Sequence, residues 1–439
     1  MDNPTSSFAE EAGLEETSSE MANETHEDLL APYVVLELAT TETALFGRTF
    51  ADLGARVIAV EPPGGSPARR LGPFADGEPG LERGLFWLGY GAGKQSVTLN
   101  LDTRDGQALF RKLVSGADFV VEGFPPGYLA ARGLAYEDLR AQNERVVLVS
   151  LTPYGQEGPY RSYAGDDLLT WALGGYMHMV GDPDRAPLRV GLPPQASLHL
   201  AMAGVVGALA AHFRRLATGH GEHVDVAAQE VPLSMLTHTY AFADLSGVNL
   251  QRQGMWRDLG PGRRSRTLYQ CKDGWVVWMF MTFYGGARTA RKLMEWMDSE
   301  GAAPEWLKQT DWATFDPAGL PPDEVDRFLE PFTAFLRTKT KAELLEAAVR
   351  DGHMFSPVNT LADVLADPQL AARASWREVA DTARAIVLRY PGVPVHTTGA
   401  PWVVRGPAPR LGQHNRAVLV DELGLSSQEL ELLFALGVV

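Results

Sequence analysis

Residues 33–61 read YVVLELATTETALFGRTFADLGARVIAVE, and this stretch decides the fold class. An apolar run at 33–38 precedes a helical pattern over Ala44–Leu53 that stops at Gly54, and a second apolar run fills 56–61. A strand, a helix and a second strand within about thirty residues are typical of a parallel βαβ unit.

Similar apolar runs recur further along the chain, and helical patterns at 105–115 and 136–142 separate several of them. The runs predicted as strands are 96–101 (SVTLNL), 118–123 (DFVVEG), 145–151 (RVVLVSL) and 223–228 (HVDVAA). We therefore predict an α/β fold whose large domain is Rossmann-like, with a doubly wound parallel sheet.

A dinucleotide site is disfavoured, because the first strand leads into ELATTETALFG and not into a glycine-rich turn. The stretch GYGAGKQSV at 89–97 superficially resembles a phosphate loop, but it precedes a strand instead of following one. We interpret it as a glycine-rich turn that leads into that strand.

The second half of the chain shows a different pattern. The segment 250–275 has the glycine and arginine content of a loop, and the apolar run WVVWMFM at 275–281 follows it. Helical patterns then occupy 286–297, 323–338 and 340–350, which predicts a smaller α+β domain. Near the C-terminus, a strand-like run at 386–392, a proline-rich stretch and two closing helices are expected.

These patterns predict the domain boundaries. Residues 1–30 hold many acidic side chains and no Lys or Arg, so we expect a disordered acidic tail. We expect the first part of the large domain at 31–225, the small domain with its linkers at 226–370, and a C-terminal segment at 371–439. The length of 439 residues agrees with two or three domains.

Composition excludes several classes of function. The formal net charge of −16 argues against binding to nucleic acid, which needs clustered Lys and Arg. No apolar run approaches the ~18 residues of a membrane helix, and the first thirty residues lack a signal-peptide pattern, so we expect a cytoplasmic protein without a membrane partner. The single cysteine, Cys271, excludes an internal disulfide and a cysteine-cluster metal site.

Six motifs, in order along the chain, resemble those of the family III CoA-transferases, the group of carnitine, formyl-CoA and bile-acid CoA-transferases that also includes α-methylacyl-CoA racemase. The resemblance covers about 33 to 439. The motifs are ADLGARVIAVEPPGGSPARRLGP, GAGKQSVTLNL, VVEGFPPGYLAARGL, SLTPYGQEGPY, GEHVDVAAQE, and PAPRLGQHNRAVL with a terminal GVV.

The resemblance implies a Rossmann-like large domain, to which the C-terminal segment returns, and a small domain made from the middle of the chain. It also implies that two chains thread through each other as an interlocked dimer. The family reaction moves CoA from an acyl-CoA donor to a carboxylic acid, and an active-site Asp attacks the thioester to form an aspartyl-CoA thioester. The resemblance therefore implies a CoA thioester as substrate, no tightly bound cofactor and no metal. The glycine-rich GPGRR at 260–264 lies about where the family has a loop that shields these intermediates.

This chain departs from the family at the nucleophile. Matching the family's Gly-Leu-His to His199 places the nucleophilic Asp at Pro193, and no acidic residue occurs between Asp184 and Glu222. Proline cannot be acylated, so the chain resembles a transferase that has lost its nucleophile.

The binding of the CoA phosphates is predicted to be weak. The family's Lys and Arg contacts fall on Pro62, Asp102, Ala131 and Ala164, and the Asn of its VENF motif is Gly123. Several phosphate-binding cations are thus absent. The residues that remain for a CoA site are Arg69, Arg70, Leu99 and Phe124, with Lys94 as a further candidate.

The surviving carboxylates are Asp166 and Asp167, and Asp167 matches a second acidic position of some relatives. Asp167 is our candidate catalytic residue, although an Asp at a helix start is more commonly a cap. The racemase alternative would need a His and an Asp where Asp166 and Pro193 stand, and it is disfavoured. His199, alone on an apolar face, is interpreted as a core residue.

Two classes of function remain open. The first is a subunit of a family III CoA-transferase that lacks the nucleophile and pairs with a related catalytic chain, an arrangement found among the benzylsuccinate CoA-transferases, or a chain that pairs with itself. The second is a non-catalytic CoA-thioester-binding or scaffold protein. The expected ligands are an acyl-CoA and a carboxylic acid, and the sequence does not define the donor or the acceptor.

Overall fold

A computed structural model describes residues 28–191, 194–258, 264–278, 286–315 and 320–439. The predicted acidic tail up to residue 27, Pro193, and residues 260–263 of the predicted shielding loop lie outside the described residues.

The main sheet has six strands, all paired in parallel. They are β1 (Val34–Leu38), β2 (Arg56–Glu61), β3 (Gln95–Thr98), β4 (Phe119–Glu122), β5 (Val147–Thr152) and β6 (His223–Ala227). Their spatial order is β3-β2-β1-β4-β5-β6, an order typical of doubly wound sheets. All carboxyl ends therefore lie at one edge of the sheet, where α/β proteins bind their ligands. The predicted α/β class is confirmed.

Helices cover both faces of this sheet. They are α1 (Ala44–Asp52), α2 (Leu85–Tyr90), α3 (Arg104–Val114), α4 (Tyr136–Gln142), α5 (Asp167–Leu173), α6 (Gln195–Thr218), α7 (Val231–Met235) and α8 (Thr237–Ser246). Side chains of α3 and α4 form one buried cluster with the sheet, and side chains of α1 and α6 form another on its other face. Strands β1, β2, β4 and β5 are buried along nearly their whole length, and their sequences are mainly apolar, as expected for a parallel sheet that is covered on both faces.

Helix α6 corrects the expectation that no apolar stretch of the chain approaches the length of a membrane helix. It is 24 residues long, and its most apolar window is hydrophobic enough to cross a membrane by length and composition. However, 56% of that window is buried inside the protein, where Leu200, Ala201 and Val205 pack on the main sheet. These contacts are those of a core helix. The expected cytoplasmic location stays a prediction.

The second half of the chain forms smaller sheets and more helices. The strands are β7 (Trp256–Asp258), β8 (Arg264–Arg266), β9 (Leu268–Cys271), β10 (Gly274–Trp278), β11 (Phe355–Pro357), β12 (Trp376–Asp381) and β13 (Ile386–Pro391). The helices are α9 (Gly286–Ser299), α10 (Glu305–Lys308), α11 (Pro322–Leu336), α12 (Lys341–Asp351), α13 (Leu361–Leu365), α14 (Pro368–Ala372) and α15 (Ser427–Ala435). A separate hydrophobic cluster joins β9, β10 and β11 to α9, α11 and α12. The boundaries proposed at 225 and 370 stay predictions.

The interpretation of 250–275 as a loop is wrong in part, because this segment contains the hairpin of β7 and β8 and the whole of β9. Tyr269 of β9 is fully buried and contacts Trp278 of β10 edge to face, with 5.3 Å between ring centroids. These strands are three or four residues long, and their cross-strand partners stabilise them more than local propensity does.

The last residues of the chain pack against β3. Ser96 N donates to His414 Nδ1 at 3.1 Å, and Thr98 N donates to the Asn415 side chain at 2.8 Å. Val438 and Val439 are buried in the cluster that covers this face of the sheet. The edge strand β3 is therefore covered by the C-terminal segment, which satisfies its free N–H groups.

Candidate active site

The first turns of α5 and α6 meet at two neighbouring carboxylates. Asp166 caps α5, because its side chain accepts a hydrogen bond from Leu169 N at 2.9 Å. Asp167 instead reaches across to α6, where its Oδ1 accepts from Ala196 N at 2.6 Å. The predicted capping role is confirmed for Asp166, whereas Asp167 caps the neighbouring helix.

Asp167 satisfies one of the free N–H groups of α6 that no other side chain caps. Pro194 occupies the N-cap position and makes no side-chain capping bond. Since the first N–H groups of a helix carry partial positive charge, an anionic carboxylate is stabilised there. This position also lies directly after the proline elbow, where the sequence resemblance places the missing nucleophile.

The surroundings of Asp167 are otherwise poor in partners. The carboxylate is buried, and its Oδ2 has no hydrogen-bond partner among the described residues. Arg189 Nη2 lies 4.0 Å from Oδ2, beyond hydrogen-bond distance. Burial raises the pKa of Asp167 above its usual value, and the Ala196 N–H and the Arg189 charge oppose this shift.

His199 follows on the next turn of α6. Its Nδ1 donates to Gln195 O at 2.8 Å, and its ring meets Trp171 edge to face at 5.5 Å. A neutral ring held in this way presents Nε2 as an acceptor. Trp171 itself is almost fully buried, which is typical of a packing residue.

Arg69, one of the predicted CoA contacts, lies inside the protein. Its guanidinium donates to Glu61 at 2.6 and 2.9 Å, to Glu82 at 3.1 Å and to Pro409 O at 3.1 Å. It also stacks over the Trp87 ring at 4.1 Å. These bonds join the loop after β2 to the C-terminal segment, so the geometry favours a structural role for Arg69 over phosphate binding.

The other predicted CoA residues surround the carboxyl ends of the strands. Arg70 is exposed, and its Nη2 donates to Gly64 O at 2.7 Å. Leu99 is buried directly after β3, and Phe124 follows β4. Phe124 stacks on Tyr128 with 4.2 Å between ring centroids. The Arg132 guanidinium lies over the Tyr128 ring, 3.5 Å from its centroid. Arg70 and Phe124 are thus placed where a ligand can reach them.

Two charged residues that bear on CoA binding have internal partners. Lys94, the further candidate, is buried and pairs with Glu37 at 2.6 Å, and burial lowers the pKa of Lys94 and raises that of Glu37. Asp102, at a position where the family has a cation, accepts from Arg132 Nε at 3.0 Å. Its carboxylate therefore neutralises a cation that CoA phosphates could otherwise use.

Sequence reasoning missed a buried carboxylate at the carboxyl ends of the strands. Glu122 ends β4, and its Oε2 accepts from Phe124 N at 2.7 Å. Burial raises the pKa of Glu122 to about 7, while hydrogen bonds from Ser150 and Phe124 oppose the shift. The signal was present in the VVEG motif, where an acidic residue ends an otherwise apolar strand.

A polar cavity of about 400 Å³ lies elsewhere, at the amino ends of β2 and β3. Arg56, Gln95, Arg405 and His414 are among its lining residues. Arg56 pairs there with Glu422, and Arg405 pairs with Asp28. The cavity opens at the edge opposite to Phe124 and is separate from the candidate active site. Within the described ranges, no group of three side chains has the arrangement of a metal site.

The chain thus combines a doubly wound sheet with a helix, α6, that starts at a proline elbow and is capped by a carboxylate from α5. The model of CoA-transferase family III matches residues 30–415. This chain belongs to CoA-transferase family III.

Named relatives of this family III chain are CoA-transferases. It is 36% identical over 395 residues to succinyl-CoA:(R)-benzylsuccinate CoA-transferase subunit BbsE of Thauera aromatica, covering 89% of this chain and 93% of that protein. It is 32% identical over 408 residues to succinyl-CoA–D-citramalate CoA-transferase of Chloroflexus aurantiacus, covering 92% of this chain and 96% of that protein.

Among solved structures, a CAIB/BAIF family protein from Brucella suis matches this chain with a TM-score of 0.74 and 27% identity. The match covers 89% of this chain and 98% of that protein. The chain is a CoA-transferase by family, and the predicted reaction class, transfer of CoA from an acyl-CoA to a carboxylic acid, is confirmed.

Proposed function

We propose that this chain is the supporting subunit of a CoA-transferase and that a related chain supplies the nucleophilic aspartate. One observation carries the proposal: the elbow before α6 offers no carboxylate, since no Asp or Glu occurs between Asp184 and Glu222. Covalent transfer needs a carboxylate that attacks the thioester carbonyl and releases CoA thiolate, takes up the CoA as its own thioester as the donor acid leaves, and passes the CoA to the acceptor acid. That group must then come from elsewhere.

Asp167 is the one residue of this chain that the sequence suggests as an alternative nucleophile. Its Oδ1 is held at 2.6 Å by Ala196 N, and this bond stabilises the charged form while restricting the carboxylate. A nucleophile must approach the thioester carbonyl freely in the right direction. We therefore assign Asp167 to holding α6 and not to attack on the substrate.

The donor and acceptor classes follow from the named relatives. Both act on succinyl-CoA, and their acceptors, benzylsuccinate and D-citramalate, are dicarboxylic acids. We propose the same classes here: succinyl-CoA as donor and a substituted dicarboxylic acid as acceptor. The first relative is itself named as a subunit, which supports a two-chain enzyme.

The surface of the chain supports a tightly bound partner. Exposed large apolar side chains occur on α6, where Phe213 is 79% exposed, and on α8, where Leu245 is 86% exposed. Exposed leucines on α5, which contacts α6, extend this apolar surface. Surfaces of this kind mark interfaces between proteins. We propose that an interlocked dimer buries them, with a related subunit or a second copy as the partner.

CoA binding by this chain alone is proposed to be weak and to centre on Arg70 and Phe124. Arg70→Ala should lower the affinity for CoA about tenfold or less, because one exposed guanidinium is lost. Calorimetry of CoA binding measures this. Arg83→Ala is the matched control, since Arg83 is comparably exposed and pairs with Asp76 and Glu78. Equal affinities for the wild type and Arg70→Ala would contradict the proposed site.

The alternative, a non-catalytic CoA-thioester-binding or scaffold protein, predicts a different result on co-expression. A supporting subunit should yield transferase activity when it is co-expressed with a paralogue that carries Asp at the elbow. A scaffold protein should bind no such paralogue and add no activity. Co-purification followed by a succinyl-CoA turnover assay therefore separates the two.

A further inference from the structure

The residue that carries the inference is Arg189, which lies in the segment between α5 and α6. This segment is fixed at both ends of its turn: Leu188 N donates to Val180 O at 3.2 Å, and Gly254 N donates to Gly181 O at 2.8 Å. Arg252 also donates to the backbone oxygen of Arg185. Arg189 is therefore presented from an anchored loop, directly before the elbow that leads into α6.

The guanidinium of Arg189 has no carboxylate at hydrogen-bond distance in the described part of the chain, unlike those of Arg69 and Arg132. Arg69 is saturated by internal carboxylates, and Arg132 pairs with Asp102. Arg189 is half exposed, and its charged neighbour in the described part of the chain is Asp167, at 4.0 Å. At that distance the Asp167 charge attracts the guanidinium without using its hydrogen-bond donors.

One oxygen of Asp167 is engaged elsewhere, because its Oδ1 accepts from Ala196 N. Its Oδ2 remains buried and without a hydrogen bond among the described residues. The Arg189 guanidinium is therefore exposed to solvent beside the elbow, with its N–H groups available to a ligand. Arginine presents two parallel N–H groups that match a carboxylate.

A site that binds a dicarboxylic acid needs a cation of this kind for the second carboxylate. Only one of its carboxylates forms the thioester with CoA, and the second stays ionised through the whole reaction. An ionised carboxylate that leaves water is costly unless a cation and hydrogen bonds receive it. A monocarboxylic acid has no such second group.

We propose that Arg189 binds the free carboxylate of the dicarboxylic substrate and selects this class over monocarboxylic acids. The inference rests on the substrate class proposed above. Arg189 makes no covalent contribution, because its role is to receive the carboxylate that does not react. The backbone hydrogen bonds of the loop hold Arg189 beside the elbow, and the Asp167 charge attracts its guanidinium from 4.0 Å.

The test compares binding of succinate and butyrate, which have the same number of carbons and differ in the second carboxylate. Calorimetry is done on the purified complex in the presence of CoA, with wild type, Arg189→Gln and Arg189→Lys. Arg185→Gln is the matched control, because Arg185 is on the same loop, is more exposed and pairs with Asp182.

We expect Arg189→Gln to weaken succinate binding by about 10-fold to 100-fold, as a bidentate ion pair is lost, and to leave butyrate binding unchanged. Arg189→Lys should recover part of the loss, because it restores the charge but not the fork. Arg185→Gln should bind both acids as the wild type does. Unchanged succinate binding in Arg189→Gln, an equal loss for both acids, or equal wild-type affinities for both acids would overturn the inference.

Binding is measured without turnover, so this result is separate from the proposed function. If the complex shows no transferase activity but Arg189→Gln still loses succinate selectively, the assignment of Arg189 stands and the two-chain enzyme fails. If the complex is active and Arg189→Gln has the wild-type ratio of KM values for dicarboxylic and monocarboxylic acceptors, the assignment of Arg189 fails and the two-chain enzyme stands.

Discussion

The Asp167 carboxylate accepts the Ala196 N–H at the first turn of α6, and 29 residues of chain separate the two groups. The sequence predicted a cap at this pair of aspartates, and Asp166 is that cap. It could not predict that Asp167 serves a different helix, because no local pattern links residues so far apart. Arg69 shows the same limit, since the sequence does not reveal that Glu61 and Glu82 enclose it.

Substitutions at Asp167 distinguish a cap from a nucleophile. Asp167→Asn keeps an oxygen that accepts from Ala196 N, whereas Asp167→Ala removes it. We expect Asp167→Ala to lose about 1 kcal/mol of stability to chemical denaturation, and Asp167→Asn to lose less. The co-expressed complex should keep its turnover in Asp167→Asn within a few-fold of the wild type. A loss of turnover in Asp167→Asn by several orders of magnitude would instead identify Asp167 as the nucleophile.

Glu122 should make the stability depend on pH. Its pKa is raised to about 7 from an ordinary value of 4.5. Between these two values the folded protein holds a proton that the unfolded chain has released, so the stabilisation by this proton is complete below pH 4.5 and is lost as the pH rises toward 7.

The matched variant is Glu122→Gln, whose neutral side chain still accepts from Phe124 N. The difference in free energy of unfolding between wild type and Glu122→Gln should fall by roughly 3 kcal/mol from pH 4.5 to 7. Urea titrations at several pH values measure it. A difference that is constant over this range would show that Glu122 ionises normally.

Helix α6 is the element that connects the sheet to the candidate active site. Its N-terminus is bound by Asp167, and Arg215 in its last turn binds strand ends of the sheet. The Arg215 Nη1 donates to Asp118 O at 2.9 Å and to Arg145 O at 2.8 Å, and Nη2 donates to Asp118 Oδ1 at 3.2 Å. Polar groups therefore attach the helix to α5 at its N-terminus and to the residues before β4 and β5 at its C-terminus.

Arg215→Met should cost about 3 kcal/mol or more of stability, because it leaves the Arg145 carbonyl without its donor and removes one hydrogen bond each from Asp118 O and Asp118 Oδ1. The neighbouring Arg214→Met is the control. Arg214 is exposed and pairs with Glu222 at the surface, so its loss should cost about 1 kcal/mol or less. Thermal or urea unfolding of the two variants compares them directly, and similar losses would contradict the anchoring role.

The periodicity of apolar residues was sufficient to predict the strands and helices of the main sheet. The predicted runs at 56–61 and 118–123 became β2 and β4 with shifts of a residue or less at most ends. The hairpin of β7 and β8 was not predicted, because its three-residue strands depend on partners across the hairpin. Local patterns determine long elements, and tertiary contacts determine short ones.

At the scale of the whole molecule, α5, α6 and α8 expose large apolar side chains, which the proposed dimer buries. Mass measurement should therefore find a dimer or heteromer at micromolar concentration. If the chains interlock, they cannot separate without unfolding, so separately purified subunits should not exchange on mixing. Co-expression should instead give the mixed complex. A stable folded monomer would contradict the proposed assembly.

Composition and motifs predicted the reaction class of the whole molecule, because the motifs of family III extend along nearly the full chain. The proline at position 193, where the resemblance places the nucleophile, was also visible in the sequence. The proposed partner was not, because a single sequence does not show which surfaces of two chains pair.

The most direct test of the account is the turnover of succinyl-CoA with benzylsuccinate by this chain alone and by the complex co-expressed with its elbow-aspartate paralogue. We expect no transfer above background by the lone chain. We expect transfer by the complex, and this transfer should be abolished when the paralogue's elbow aspartate is replaced by alanine. Robust transfer by the lone chain, or a complex that stays active after that replacement, would contradict the claim that this chain is a supporting subunit.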